Sequence, residues 1–264
     1  MELKTMKVEI KEKGVCLITI DNPPANTLSD DLQKDVYDIV EKLGKDPEVR
    51  VIVFASAHPK IFIAGANLNT MGGSSDGPRD YAEGCRTMQE ALNQLESLPK
   101  PTIAAINGHA LGGGCEFVMA CDIRIMGAGT IGLTEVTLGL IPGAGGTQRL
   151  TRLLGKAKAT ELMFLGKRLK ADEAEKIGLV HRATSPESLL SEALALAEQL
   201  AEGAVQAMGL IKTSINAAES PLEDGLKVER EAFAKTFTTG EPQEGVKAFF
   251  EKRKPNFIPV NIKN

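Results

Sequence analysis

A glycine-rich stretch at residues 104–122 carries a glutamate where a helix is expected to begin. It reads AAINGHALGGGCEFVMACD, so an apolar, strand-like run leads to three consecutive glycines and then to Glu116. Glycines at the start of a helix let a backbone N–H approach a ligand with no Cβ atom in the way. The free N–H groups and the positive end of the helix dipole there favour a negatively charged oxygen. The pattern therefore predicts a carboxylate beside an oxyanion site, which suits chemistry on a carbonyl compound.

A second glutamate, Glu135, precedes another glycine-rich segment. Residues 131–150 read IGLTEVTLGLIPGAGGTQRL, in which Glu135 is the only acid. An isolated glutamate is ordinarily a solvated surface residue, because charged side chains are rarely buried without a partner. The apolar neighbours of Glu116 favour a functional interpretation, whereas the residues around Glu135 alone favour a surface position. From the residues alone, a surface position stays open as the alternative for each.

Three blocks of the sequence resemble the enoyl-CoA hydratase, or crotonase, family. They are FIAGANLNTM at 62–71, the segment 106–122 around Glu116, and the segment 132–150 around Glu135. The similarity extends over nearly the whole chain and keeps the family's order and spacing. The resemblance implies an α/β fold, a crotonase-like spiral of strand-strand-helix units with a C-terminal helical trimerisation region. We expect an acyl-CoA-binding catalytic core at residues 1–200 and a helical oligomerisation region at 201–264.

The activity implied by the resemblance is the addition of water to a 2-enoyl-CoA, giving a 3-hydroxyacyl-CoA, as in fatty acid β-oxidation. Glu116 would activate the water, and Glu135 would protonate the α-carbon. The backbone N–H groups of Ala66 and Gly113 would form the oxyanion hole for the thioester oxygen. One carboxyl must carry a proton near neutral pH, so burial should raise at least one pKa. No metal and no other cofactor is expected, because coenzyme A is part of the substrate.

The resemblance also implies a set of substrate contacts, with departures from the family beside them. The residues expected to contact the acyl group or coenzyme A are Ala25, Ala64, Asn67, Leu68, Phe249 and Lys252, the last two reaching a neighbouring subunit's coenzyme A. Asn67 replaces the family's aspartate, and Asn69 replaces a basic residue. Thr134 stands where proline is common. An amide keeps one carbonyl acceptor, so Asn67 can preserve part of a loop's hydrogen bonding. These exchanges bear on acyl preference.

Several other activities are compatible with the same blocks. An enoyl-CoA isomerase can use only the later glutamate, so the presence of both glutamates favours a hydratase. Decarboxylases, dehalogenases and thioester hydrolases of the family share the oxyanion pair but vary the acids. A non-catalytic RNA-binding or scaffold protein is the alternative from another class, and the absence of a long Lys/Arg stripe counts against it. Arg149 and Arg152 are expected to be ion-paired, with a phosphate contact as the alternative, and His109 is expected to be structural.

Composition and charge limit the partners and the compartment that can be expected for this chain. The 264 residues carry a formal net charge of −4, and no apolar run approaches the roughly 20 residues that span a bilayer. We therefore expect binding to neither nucleic acid nor membrane. Residues 1–13 are unlike a signal or transit peptide. Cys115 and Cys121 lie in the apolar glycine-rich block and are expected to be buried thiols, which favours a reducing cytoplasm.

The elements that must position these residues follow from apolar periodicity. Strands are predicted at 8–10, 15–20, 51–55 and 102–106, and helices from the Ser29 cap to about Gly44 and over 81–98. Four further helices are predicted at 186–201, 205–217, 222–238 and 245–254. Their apolar faces include Phe233, Phe237, Phe249 and Phe250. This exceeds what a short helical appendage can bury, and the family resemblance implies trimers paired into a homohexamer.

Overall fold

The computed structural model describes residues 2–67 and 80–258, whose strands form two sheets. The strands are β1 (Met6–Ile10), β2 (Val15–Ile20), β3 (Val51–Ser56), β4 (Ile61–Ile63), β5 (Thr102–Ile106), β6 (His109–Leu111), β7 (Ile123–Met126), β8 (Ile131–Gly132) and β9 (Arg182–Ala183). The six-stranded sheet has the order β1-β2-β3-β5-β7-β9, and the three-stranded sheet has the order β4-β6-β8. β1 and β2 are antiparallel, whereas the other strand pairs between described residues are parallel.

Helices cover the sheets and make up most of the C-terminal third of the chain. They are α1 (Asp30–Lys45), α2 (Tyr81–Glu96), α3 (Gly113–Met119), α4 (Gly146–Leu154), α5 (Lys156–Phe164), α6 (Ala171–Lys176), α7 (Leu189–Ala201), α8 (Val205–Asn216), α9 (Leu222–Thr236) and α10 (Glu241–Phe250). Short 3₁₀ segments lie at Glu12–Gly14, Glu135–Leu138 and Ala217–Glu219. Within residues 2–67 and 80–258, none of the helices combines the length and the apolar composition that crossing a bilayer requires.

From β3 onward, successive strands alternate between the two sheets. β3, β5 and β7 belong to the larger sheet, and β4, β6 and β8, which follow them in turn, belong to the smaller one. A helix follows each pair: α2 after β4, α3 after β6, and α4 after β8. This threefold strand-strand-helix repetition confirms the predicted α/β spiral.

Local sequence explains the first elements as predicted. Ser29 begins α1 by accepting a hydrogen bond from the Leu32 N–H, and the first turn carries Asp30 and Asp31, whose charges suit the helix dipole. β3 reads VIVFAS and buries its first four residues in succession, as expected of a parallel strand covered on both faces.

Two apolar layers hold the larger sheet, one on each face. On one face, Phe54 of β3 packs edge-to-face against Phe117 of α3, with ring centroids 5.2 Å apart. This contact fixes α3, and with it Glu116, against the sheet. On the other face, α7 packs against β3 and β5. Cys115 and Cys121 are buried free thiols, as predicted.

The C-terminal region is helical as predicted, but two helix starts were predicted wrongly. α7 begins at Leu189 rather than 186, because residues 186–188 form a turn. α10 begins at Glu241 rather than 245, since Gly240 turns the chain with φ +83° and Pro242 fits the first helical turn. It ends before Lys252, whose φ is +53°. The expected division at 200/201 falls at the end of α7 and stays a prediction.

Candidate active site

Glu116 lies in the first turn of α3, buried against the loop that leads into α4. Its side chain Oε1 accepts hydrogen bonds from the backbone N–H groups of Ala144 at 2.8 Å and Gly146 at 2.7 Å. A Cβ atom on Gly146 would stand only 2.8 Å from this oxygen, so a side chain there would displace it. Burial raises the pKa of Glu116, whereas these two hydrogen bonds and the charge of Arg149 act in the opposite direction. The carboxyl group is therefore held in one orientation, and its pKa stays above the ordinary value although both hydrogen bonds favour the ionised form.

Glu135 lies at the start of the second 3₁₀ segment and is half-buried. Its Oε1 faces Gly112, where an added Cβ atom would be 3.2 Å away. Its Oε2 is buried and has no hydrogen-bond partner among the described residues. Burial is the main cause that raises the pKa of Glu135 to about 7, and the charge of Glu116 adds to the effect. Near neutral pH, this carboxyl group can therefore hold or release a proton.

The backbone N–H groups of Ala66 and Gly113 lie close together near the start of α3. A Cβ atom placed on Gly113 would be 3.8 Å from the Ala66 nitrogen and would force the end of the Leu28 side chain to move. In the part of the chain that the structure describes, neither N–H donates to a backbone carbonyl. Unpaired N–H groups are usual in the first turn of a helix. Two such donors can stabilise an oxygen on which negative charge develops.

Sequence analysis missed three residues that shape these glutamates: Gly112, Ala144 and Gly146. Gly112 has φ +54° and ψ −122°, so it makes a turn that favours glycine and leaves room for Glu135. Ala144 and Gly146 hold Glu116 through their N–H groups. The signal was present in the three consecutive glycines at 112–114 and in GAGG at 143–146. By itself, the GAGG segment indicates only a turn.

The other predicted contacts near Ala66 are partly brought together. The Ala64 N–H donates to the Ala25 carbonyl at 3.3 Å, so these two residues are neighbours beside Ala66. Asn67 follows Ala66 and is half-buried. Leu68 and Asn69 lie outside the described residues.

The two predicted C-terminal contacts lie elsewhere. Phe249 is near the end of α10 with 78% of its surface exposed, and Lys252 follows two residues after that helix, also exposed. Among the described residues, neither makes a hydrogen bond or a ring contact with the groups around Glu116 and Glu135. Their expected contact with a neighbouring subunit's coenzyme A stays a prediction.

The two arginines of α4 and His109 have identifiable partners in the structure. Arg149 is ion-paired, as predicted, because its Nη2 lies 2.8 Å from the Glu96 Oε2. The Nε atom of Arg152 lies 4.0 Å from the Oε2 atom of Glu219, and both side chains are largely exposed. The Nδ1 atom of His109 lies 2.9 Å from a threonine hydroxyl, which agrees with a structural position.

Comparison with known proteins gives consistent matches over nearly the full length. The family model described as Enoyl-CoA hydratase/isomerase matches residues 10–259. The chain is 39% identical over 259 residues to the Short-chain-enoyl-CoA hydratase of Clostridium acetobutylicum, covering 96% of this chain and 97% of that one. It is 38% identical over 251 residues to the Crotonyl-CoA hydratase of Syntrophomonas wolfei, covering 94% and 96%. The crystal structure of Enoyl-CoA Hydratase from Bacillus anthracis, 36% identical, has a TM-score of 0.89 and covers 97% of this chain and 99% of that chain.

Proposed function

The chain belongs to the enoyl-CoA hydratase/isomerase family, and from that premise we propose that it hydrates a short-chain 2-enoyl-CoA. The observation that carries the proposal is the pair of glutamates, Glu116 and Glu135, that approach the start of α3 beside the N–H groups of Ala66 and Gly113. The relatives named short-chain-enoyl-CoA hydratase and crotonyl-CoA hydratase support a short acyl chain.

The oxyanion pair would act on the thioester. With the carbonyl oxygen between the N–H groups of Ala66 and Gly113, electron density is drawn from C3 towards that oxygen. Water then adds to C3, and the thioester becomes an enolate. In other enzymes, removal of one such donor costs about 2.7–4 kcal/mol of transition-state stabilisation.

The two glutamates would divide the proton transfers. Ionised Glu116 accepts a proton from water as the oxygen bonds to C3, and protonated Glu135 gives a proton to C2. The product gains one water and no electrons, so the resting state returns when Glu116 loses its proton and Glu135 regains one. The N–H bonds that stabilise ionised Glu116 and the raised pKa of Glu135 support this division. No metal or redox cofactor is required, because every step is an addition or a proton transfer.

A hydratase fits these residues better than an isomerase. An isomerase moves one proton along the acyl chain and needs one acid–base group. This site has two carboxyl groups, Glu135 and Glu116, and two backbone N–H groups hold Glu116 in place. The hydrogen bonds to Glu116 make sense when a second carboxylate must activate water.

We also propose where the substrate binds, how the chains assemble and in which compartment the reaction takes place. We place the substrate's acyl-CoA against Ala25, Ala64, Asn67 and Leu68, and we assign Phe249 and Lys252 to the coenzyme A of a neighbouring subunit in a homohexamer. The exposed ammonium group of Lys252 suits a phosphate. We place the reaction in cytoplasmic fatty acid β-oxidation, and the buried free thiols support a reducing compartment.

The test is incubation of the protein with crotonyl-CoA, following loss of the absorbance of the conjugated thioester. Mass spectrometry should show a product heavier by one water, and the Glu116→Gln, Glu135→Gln double variant is the control. A parallel reaction starts from the corresponding 3-enoyl-CoA. Conversion of that compound without gain of water, together with no hydration of crotonyl-CoA, would assign isomerase activity instead.

A further inference from the structure

Arg149 is a buried arginine that takes no direct part in the proposed chemistry. It lies in α4 with only 6% of its surface exposed. Its Nε and Nη2 atoms both donate to the Glu96 Oε2, at 3.0 and 2.8 Å, and Nη2 also donates to the Asn93 Oδ1 at 2.7 Å. Both acceptors belong to α2. The guanidinium group is thus anchored to a helix that lies far from α4 in the sequence.

The third nitrogen of the guanidinium group, Nη1, reaches the loop that holds Glu116. Nη1 of Arg149 donates to the Ala144 carbonyl at 3.0 Å, while the Ala144 and Gly146 N–H groups donate to Glu116. Arg149 therefore fixes the peptide unit that lies between the two donating units. Gly145, with φ +100°, belongs to the same turn, and a Cβ atom on it would collide with Nη1. The arginine occupies the inner side of the turn.

We propose that Arg149 is a positioning residue for the reaction, holding the 143–146 loop against α2 so that Ala144 and Gly146 keep Glu116 ready to accept a proton from water. The inference rests on the proposed hydration. The observation behind it is that one guanidinium group bonds both α2 and the carbonyl of Ala144, whose own N–H holds the reacting carboxylate.

The charge of Arg149 acts in the same direction as its hydrogen bonds. Among the described residues, the other ionisable groups around Glu116 include Glu135 on the 3₁₀ segment, Glu96, which pairs with Arg149, and the neighbouring Cys115. Burial raises the pKa of the Cys115 thiol, so it stays neutral. Arg149 lowers the pKa of Glu116 against the effect of burial. Loss of its charge should therefore leave Glu116 protonated to a higher pH.

The test compares Arg149→Gln, Arg149→Lys and the control Arg152→Gln. Arg152 lies one turn further along α4, largely exposed, and its removal takes away the same charge without touching the loop. We expect Arg149→Gln to lower kcat for crotonyl-CoA about 100-fold with little change in KM, since small displacements of a reacting group have effects of this size. The acid limb of kcat/KM should also move to higher pH.

Arg149→Lys distinguishes charge from geometry. Because lysine keeps the positive charge, its acid limb should stay near that of the wild type, while kcat recovers only in part. Arg152→Gln should change neither quantity. A wild-type acid limb and kcat in Arg149→Gln would overturn the proposal, and so would an equal loss in Arg152→Gln.

A readout without turnover separates this inference from the proposed function. Carboxyl-¹³C glutamate labelling, with Glu116→Gln for assignment, gives the titration of Glu116 by NMR. Its midpoint should rise in Arg149→Gln and stay in Arg149→Lys, even if the wild type hydrates no enoyl-CoA. If Arg149→Gln does not fold, Asn93→Ala loosens the same anchor. It should lower kcat and leave KM unchanged, and an unchanged kcat would count against the proposal.

Discussion

The Oε1 atom of Glu135 lies 3.2 Å from the position that a Cβ atom would occupy on Gly112. Gly112 immediately precedes α3 and has a positive φ of +54°. The glycine therefore serves two needs, because it makes the turn into the helix and lets the carboxylate approach the backbone. The approach ends one residue before Gly113, the proposed oxyanion donor. The proposed acid and the proposed oxyanion hole thus depend on one turn.

Gly112→Ala should lower kcat for crotonyl-CoA about tenfold, because the new methyl group would lie 3.2 Å from the Glu135 Oε1 and shift that carboxylate by a few tenths of an ångström. Initial-rate assays with crotonyl-CoA measure the loss of kcat. Gly178→Ala is the matched control, since Gly178 also has a positive φ, of +83°, but faces open space. Comparable losses of activity in both variants would mean that backbone strain alone explains the effect.

Replacement of either glutamate by glutamine should lower kcat by about 10²–10⁴-fold, the range for loss of one acid–base group. Combined, Glu116→Gln and Glu135→Gln should cost far less than the product of the single losses, because the two groups act on one water as a unit. The kinetics of the four proteins form a double-mutant cycle. Additive losses would show that the two glutamates act independently, and near-full hydration by Glu116→Gln would favour an isomerase.

The raised pKa of Glu135 predicts how hydration depends on pH. Because this carboxyl must be protonated to give C2 its proton, the rate should fall as pH rises through about 7. At low pH the rate should fall again as Glu116 becomes protonated, which gives a bell-shaped profile. In Glu135→Gln the residual activity should lack the alkaline limb. Persistence of that limb would assign it to another group.

The same shift has a consequence for stability. The pKa of Glu135 is higher in the folded protein than in the unfolded chain, so wild-type stability should decline between about pH 4.5 and pH 7, because over that range the unfolded chain releases this proton while the folded protein retains it. Glu135→Gln should therefore gain stability over the wild type at pH 8 but not at pH 4. Screening of the half-buried group limits the gain to on the order of 1 kcal/mol. Urea unfolding at both pH values provides the measurement.

Local sequence predicted those features that local physical chemistry decides. The Ser29 cap, the buried run in β3 and the helix that begins within the three glycines each follow from a few neighbouring residues. The family blocks supplied the rest of the fold, because their order carries long-range information that periodicity lacks. The wrong starts of α7 and α10 lie where flanking turns compete with helical patterns.

The missed parts of the site depend on contacts between distant residues. The hydrogen bond from Gly146 to Glu116 spans 30 positions, and the one from Arg149 to Glu96 spans 53. No single-sequence pattern says which loop will face a buried carboxylate after folding. The GAGG segment indicates a turn. Which side chain the N–H groups of that turn face depends on how α2, α3 and α4 pack together.

Two exposed aromatic residues, one in the last turns of α9 and one directly after it, predict the assembly. Phe233 and Phe237 have 66% and 55% of their surfaces exposed and pack on each other, with ring centroids 5.4 Å apart. Contiguous exposed apolar surface of this kind usually marks an interface, and closed symmetry would pair it with further copies of the chain. We expect light scattering to give about six chains per particle for the wild type. The double variant Phe233→Ser, Phe237→Ser should give smaller particles and a higher KM for crotonyl-CoA, because Lys252 would no longer reach a neighbour. Tyr37→Ser, which removes a half-exposed ring from α1, should keep the wild-type assembly. A fully active wild-type monomer at low concentration would refute this prediction together with the proposed role of Lys252.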